Sequence, residues 1–178
     1  MSTTYDAEFI SIVTDLATSL ASNTHTDVQQ DNFFRLAEQR KRLPQGSSTD
    51  VTESFLAVTI SIISLKQNTT YSIKAIRVLH TFLRFDQSVF QIFKPNKPLL
   101  RKMNLSEHIM SATPTEVEAA LELAAFLLRY HRSVDYGDFS DNAYVVQRIR
   151  RYCDYRFWYE LEEQGGSQEE LNSKFTSF

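Results

Sequence analysis

The stretch Ala75–Val89 reads AIRVLHTFLRFDQSV, and ALELAAFLLRYHRSV stands at Ala120–Val134, 45 positions later (120 − 75). Ala75/Ala120, Leu83/Leu128, Arg84/Arg129, Ser88/Ser133 and Val89/Val134 are identical, and Ile76/Leu121, Val78/Leu123, Phe82/Leu127 and Phe85/Tyr130 keep apolar or aromatic character. In the first copy Ile73, Ile76, Leu79 and Leu83 recur at helical spacing, with Ala75, Val78 and Phe82 widening the apolar stripe. A stripe that broad implies burial on more than one side. The pair therefore predicts two similar long helices whose core-facing positions coincide.

Working outward, four Gly and four Pro in 178 residues are too few for a sheet-rich domain with many tight turns. Phe9, Val13, Leu16 and Leu20 lie on one face of a first helix, with Asp15 and Thr18 away from it. A second helix is expected from about Asp27 to Arg42, with Phe33, Phe34 and Ala37 inward, ending at Pro44-Gln45-Gly46. Asp50-Val-Thr-Glu53 has the form of a capping box opening a helix to about Leu65. The run Val58–Ile63 is β-branched and alternates like a strand, but its helical surroundings favour a helix. Pro95 and Pro98 break the chain after Phe93, and one or two short helices should follow between Leu99 and Ala112. Thr113-Pro114-Thr115-Glu116 combines a cap, a first-turn proline and a box-closing glutamate, and predicts a helix over 114–132. Asp141 is the expected cap of a final helix to about Gln164, stopped by Gly165-Gly166.

A period near 45 residues, with short helices followed by one long one, resembles an armadillo or HEAT unit over roughly Asp50 to Val134. A weaker likeness is to the phosphoinositide-binding superhelices of the epsin and clathrin-adaptor class, whose basic lipid motif is not recognisable here. The armadillo resemblance implies an all-α fold of about seven to nine helices, in a right-handed superhelix; a plain helical bundle is the alternative. Residues 1–166 would form one domain, with a repeat-like core at about 50–134, cap segments at 6–42 and 141–164, and a polar tail at 167–178.

Composition narrows the function. An apolar fraction of 42% excludes a disordered chain, and a net charge of −3 supplies no global field for nucleic acid or anionic lipid. The single Cys153 rules out an intrachain disulfide, and the start lacks a secretory signal, which together point to a cytoplasmic or nuclear protein. No apolar run approaches the ~20 residues of a membrane span. Neither a phosphate loop nor a dinucleotide fingerprint nor a nucleophile elbow is present. His25, His80, His108 and His131 are never at metal-ligand spacing with one another, and Asp135, Asp138 and Asp141 are too loosely placed for a calcium loop and read as a solvated acidic loop. No catalytic residue, metal or cofactor is expected, and no small-molecule substrate is evident. Cys153 reads as a small buried hydrophobe.

The stripes of the two long helices carry the binding expectation. Lys74, Arg77, Thr81 and Arg84 on the first, and Ala119, Glu122, Phe126 and Arg129 on the second, would line a groove for a peptide or partner helix. The leading expectation is a non-enzymatic interaction module: an adaptor, scaffold or regulatory subunit with a protein partner. Arg148, Arg151, Tyr152 and Tyr155, with Arg150, Arg156 and Trp158 nearby, offer an alternative as an RNA-binding nucleoprotein or coat subunit. Glu160, Glu162 and Glu163 are expected to pair with those arginines and weaken that face. Lys94, Lys97, Arg101 and Lys102 define a third possibility, peripheral phosphoinositide binding. Arg40-Lys41-Arg42 needs no ligand, since cations suit a helix C-terminus.

Overall fold

The computed structural model describes residues 2–94 and 96–163, with residues 2, 3, 157, 158 and 160–163 described by backbone alone. The chain is all-α. Among the described residues nine helices follow in order: α1 (Ser2–Ala21), α2 (Asp27–Ala37), α3 (Thr49–Leu65), α4 (Thr69–Phe85), α5 (Gln87–Phe93), α6 (Lys97–Met103), α7 (Leu105–Ile109), α8 (Pro114–Tyr130) and α9 (Ala143–Glu163). A 3-10 turn, Tyr136–Asp138, sits between the last two. The long helices pack in succession, α1 on α3, α3 on α4, α4 on α8 and α8 on α9, while α2, α5, α6 and α7 close the flanks. No strand occurs among the described residues. The predicted Gly165-Gly166 stop and the tail 167–178 lie outside them, as do the side chains of Trp158, Glu160, Glu162 and Glu163.

The β-branched segment is helical because it is buried from several sides. Phe55, Leu56, Val58, Ile60, Ile62 and Ile63 are all in the core, and packing of this kind overrides a weak local preference. Thr59, also buried, is satisfied by donating its hydroxyl to the Phe55 and Leu56 carbonyls, at 3.1 Å each. Lys66 in the left-handed region ends α3, and Asn68 caps α4 by accepting from the N–H groups of Thr70 and Tyr71. Phenylalanine fills the centre: Phe55 stacks on Phe82 at 4.4 Å and meets Phe33 at 6.2 Å, and Phe33 stacks on Phe9. Each such side chain, fully withdrawn from water, stabilises the fold by about 1.5–3 kcal/mol.

The matched stretches occupy α4 and α8, which pack against each other. Ala75 and Ala120, Val78 and Leu123, Phe82 and Leu127, and Val89 and Val134 are buried in both copies. Phe85 and Tyr130 are a correction to the expected core register, being 38% and 54% exposed. An arginine lies over each: Arg84 over Phe85 at 5.2 Å and Arg129 over Tyr130 at 5.3 Å. The next residue, Asp86 or His131, is buried at the helix end, and the serine two positions on bonds to it, at 2.6 Å and 2.8 Å. The copies part company after Val89, which belongs to α5, whereas Val134 leads into the 3-10 turn.

Several local expectations are corrected. Helix α2 stops at Ala37 rather than near Arg42, and opens with an unforeseen capping box between Thr26 and Gln29. Its early stop frees the chain to bring the Leu43 N–H within 2.7 Å of the Asp86 carboxylate. Ser48, not Asp50, caps α3, accepting from the Val51 N–H. The oxygen at the start of α9 belongs to Asn142, which accepts from the Tyr144 N–H at 2.9 Å, not to Asp141. Thr113 makes no side-chain cap bond, and Glu116 turns inward to His108 instead of closing a box, leaving the Thr113 N–H to the Ser111 hydroxyl. Ala119, expected on an exposed stripe, is buried. Asp138, expected in solvent, is buried at the end of the 3-10 turn and accepts from the Asp135 N–H at 3.0 Å.

Candidate functional site

The C-terminal ends of α4 and α8 lie side by side, and α5 leaves α4 through a single residue, Asp86. That junction opens an outward-facing cleft of about 780 Å³ lined by Arg42, Leu83, Arg84, Phe85, Asp86, Gln87, Ser88, Phe90, Phe126 and Tyr130. The volume is within the range of sites that hold small ligands or a few side chains of a partner. Its floor is aromatic: Phe126 meets Tyr130 at 4.9 Å and Phe90 at 6.4 Å. Phe90 and Phe126 are half-buried, while Phe85 and Tyr130 stand in solvent at the rim.

Positive charge surrounds that floor. Lys41 Nζ lies 4.8 Å from the Phe85 ring centroid and Arg84 packs over the same ring. A guanidinium stacked on a ring keeps its in-plane N–H donors available for a carboxylate or phosphate. Arg42 is exposed on the cleft wall. The acid of the lining, Asp86, is engaged from within: Oδ2 accepts from the Leu43 N–H, and Oδ1 from the Ser88 N–H at 3.0 Å, the Ser88 hydroxyl and the Val89 N–H. Its negative charge is answered by four donors before any ligand arrives.

The groove residues read from the sequence are only partly brought together. Arg84 and Phe126 line the cleft, and Arg129 lies beside it over Tyr130. Lys74 sits two turns and more up α4, 5.8 Å from the Phe34 ring and 4.0 Å from Glu38, and Arg77 is exposed between. Glu122 is half-buried on α8, the helix on which α9 packs. Burial foremost, with Glu122 and Glu118 beside it, pushes the Tyr152 hydroxyl up to about 12. Lys41, Arg42, Phe85, Phe90 and Tyr130 were not read as site residues. The basic triplet reads as the end of a helix that in fact stops at Ala37, and Phe85 and Tyr130 read as core-facing positions of the repeat.

The other two candidate faces are more heavily engaged. Arg148 donates to the Ile109 carbonyl at 2.8 Å and lies over Tyr144, so it ties α9 to the end of α7. Arg151 and Tyr155 are exposed, and Tyr155 stacks on Tyr159 at 6.3 Å. Lys97 and Arg101 both reach the buried Asp138 carboxylate, at 3.6 Å and 3.7 Å, whereas Lys94 and Lys102 are exposed. Cys153 is half-buried, and burial pushes its thiol up against an opposing hydrogen bond with Tyr136, which disfavours the thiolate. Among the described residues no cluster of His, Cys, Asp and Glu is placed to hold a metal ion, and no helix is long and apolar enough to cross a membrane. No protein family, no curated protein and no solved structure matches this chain.

Proposed function

We propose that this chain is a non-enzymatic, armadillo-like helical domain that binds a partner protein, as an adaptor, scaffold or regulatory subunit, and that it docks the partner at the shared end of α4 and α8. The observation that carries the reading is the aromatic cleft itself. Two large aromatics, Phe85 and Tyr130, are held in solvent at the mouth of a site whose floor is also aromatic, a pattern suited to a protein-binding hot spot. The armadillo comparison draws support from the coincidence of buried, exposed and hydrogen-bonded positions between the two 45-residue copies and from the side-by-side packing of their long helices. Against the RNA-binding alternative stand the engagement of Arg148 in holding α9 to the end of α7 and the half-burial of Tyr152. Against the phosphoinositide alternative stands the pairing of Lys97 and Arg101 with Asp138.

The reading is tested by selecting displayed random peptides on the folded chain and counter-screening on a Phe85→Ala/Tyr130→Ala double variant. Both side chains are exposed, so the variant is expected to melt within a few degrees of the parent. Selected peptides should lose about ten-fold or more in affinity on the double variant. Peptides that bind both chains equally would move the docking site elsewhere.

A further inference from the structure

The distribution of charge around the cleft narrows the partner's chemistry. Resting on the docking reading above, we propose that the cleft takes an acidic segment of the partner protein, its carboxylates on Arg42 and Arg84 and one aromatic or branched aliphatic side chain seated against Phe90 and Phe126. The cleft wall bears two exposed guanidinium groups, and its one acid is turned inward onto four donors of its own chain. Lys41 adds a third cation at the rim through its contact with Phe85. A basic partner would meet Arg42 and Arg84 with nothing to pair them, whereas carboxylates match the planar fork of each guanidinium. The aromatic floor adds an apolar demand that a simple anion does not meet, because half-buried Phe90 and Phe126 release ordered water only to another apolar group.

Nucleic acid fits less well. Base stacking could use the same rings, but a strand needs a track of cations at nucleotide spacing, and this is a single cleft on a chain of net charge −3. A short acidic segment carries few charges and pairs them locally, so the wider field opposes it less.

The test uses the strongest peptide from the selection described above, fluorescently labelled, together with two counterparts in which every Asp and Glu is replaced by Gln or by Lys. Selected sequences should be enriched in Asp and Glu around one aromatic or aliphatic residue. The acidic peptide should bind the intact chain about ten-fold or more tightly than its Gln counterpart, and raising salt from about 50 to 300 mM should weaken it. Reversing both cations, Arg42→Glu/Arg84→Glu, should abolish the preference, and the Lys peptide should then bind better than the acidic one. That exchange of preference cannot arise from unfolding, which would silence both peptides. Selected peptides that are neutral or basic, or acidic ones indifferent to the reversal, would overturn the acidic class while leaving partner docking in place. A selection that yields no binder would instead overturn the docking reading itself. Two controls address other occupants: oligouridine RNA that outcompetes the acidic peptide for Arg42 and Arg84, or dimerisation of the chain that the same reversal disrupts, would each replace the proposal.

Discussion

Asp86 is one carboxylate with three structural duties: it caps α5, holds Ser88, and receives the Leu43 N–H from the loop after α2. Replacing it with alanine leaves the buried Leu43 and Val89 N–H groups without their partner, and stranding such donors costs about 1–3 kcal/mol each. Asp86→Ala should therefore lose about 2–4 kcal/mol in urea unfolding, while Asp86→Asn, whose one accepting oxygen can serve the α5 N–H groups but not the Leu43 N–H as well, should recover part of that loss. Equal losses would mean that the retained cap on α5 contributes nothing and that the loss lies with the Leu43 bond and the charge. In the repeat Asp86 stands opposite His131, a mismatch that by itself gives neither residue a role. A cap acts through the backbone that follows it, and Asp-Gln-Ser-Val after a helix end is a legible start signal. Its bond to Leu43 was out of reach, because it joins segments 43 residues apart through a loop with no periodicity (86 − 43).

Among the elements, α3, α7 and α8 are locked by a buried polar group that sequence reading assigned to a different task. His108 is fully buried, with Nε2 2.9 Å from the Ile63 carbonyl and Nδ1 2.6 Å from Glu116, whose other oxygen accepts from the Ser111 hydroxyl at 2.6 Å. The Ile63 carbonyl can only accept, so Nε2–H donates to it, and Nδ1 is left to hydrogen-bond the Glu116 carboxyl. His108→Ala would leave Glu116 buried without its partner, and breaking such a pair costs about 3–5 kcal/mol. Removing both groups, His108→Leu/Glu116→Gln, should lose distinctly less than the two single changes summed, with a coupling of about 1–3 kcal/mol in a double-mutant cycle by thermal unfolding. Strict additivity would mean that the bond contributes nothing beyond its parts. The helices themselves were legible because their apolar spacings repeat along the chain. The lock was not, since Thr-Pro-Thr-Glu offers the same glutamate to a local cap, and only the tertiary approach of His108 decides which acceptor wins.

At the scale of the whole molecule, the packing of α4 on α8 half-buries His80, and this makes stability respond to acid. The ring lies 5.1 Å from Phe126, with Arg84 on its own helix and Arg156 approaching from α9. Burial first, and the two arginines after it, lower its pKa from an ordinary 6.5 to about 4. Spacing alone shows a histidine on a helix; its half-burial against Phe126 follows from how α4 packs on α8, which no local pattern encodes. The same blindness hid the cleft, built where a repeat-like pair of helix ends meets a basic loop that is remote from both in the chain. For His80 the sign follows from proton uptake. Below pH 6.5 the unfolded chain protonates this ring while the folded chain resists until about pH 4, so acid favours unfolding across that window and its effect levels off beneath it. The contribution is full above pH 6.5, and its loss between pH 6.5 and 4 should be about 2–3 kcal/mol after allowance for solvent screening. Carboxylates titrate in part of the same range, so the measurement is a difference: urea unfolding of the parent and of His80→Phe, which keeps a ring against Phe126 and cannot take a proton. The variant should gain on the parent steadily as pH falls from 7 to 4, by about 2–3 kcal/mol in all. Parallel pH profiles would show that the ring is solvated in the folded chain.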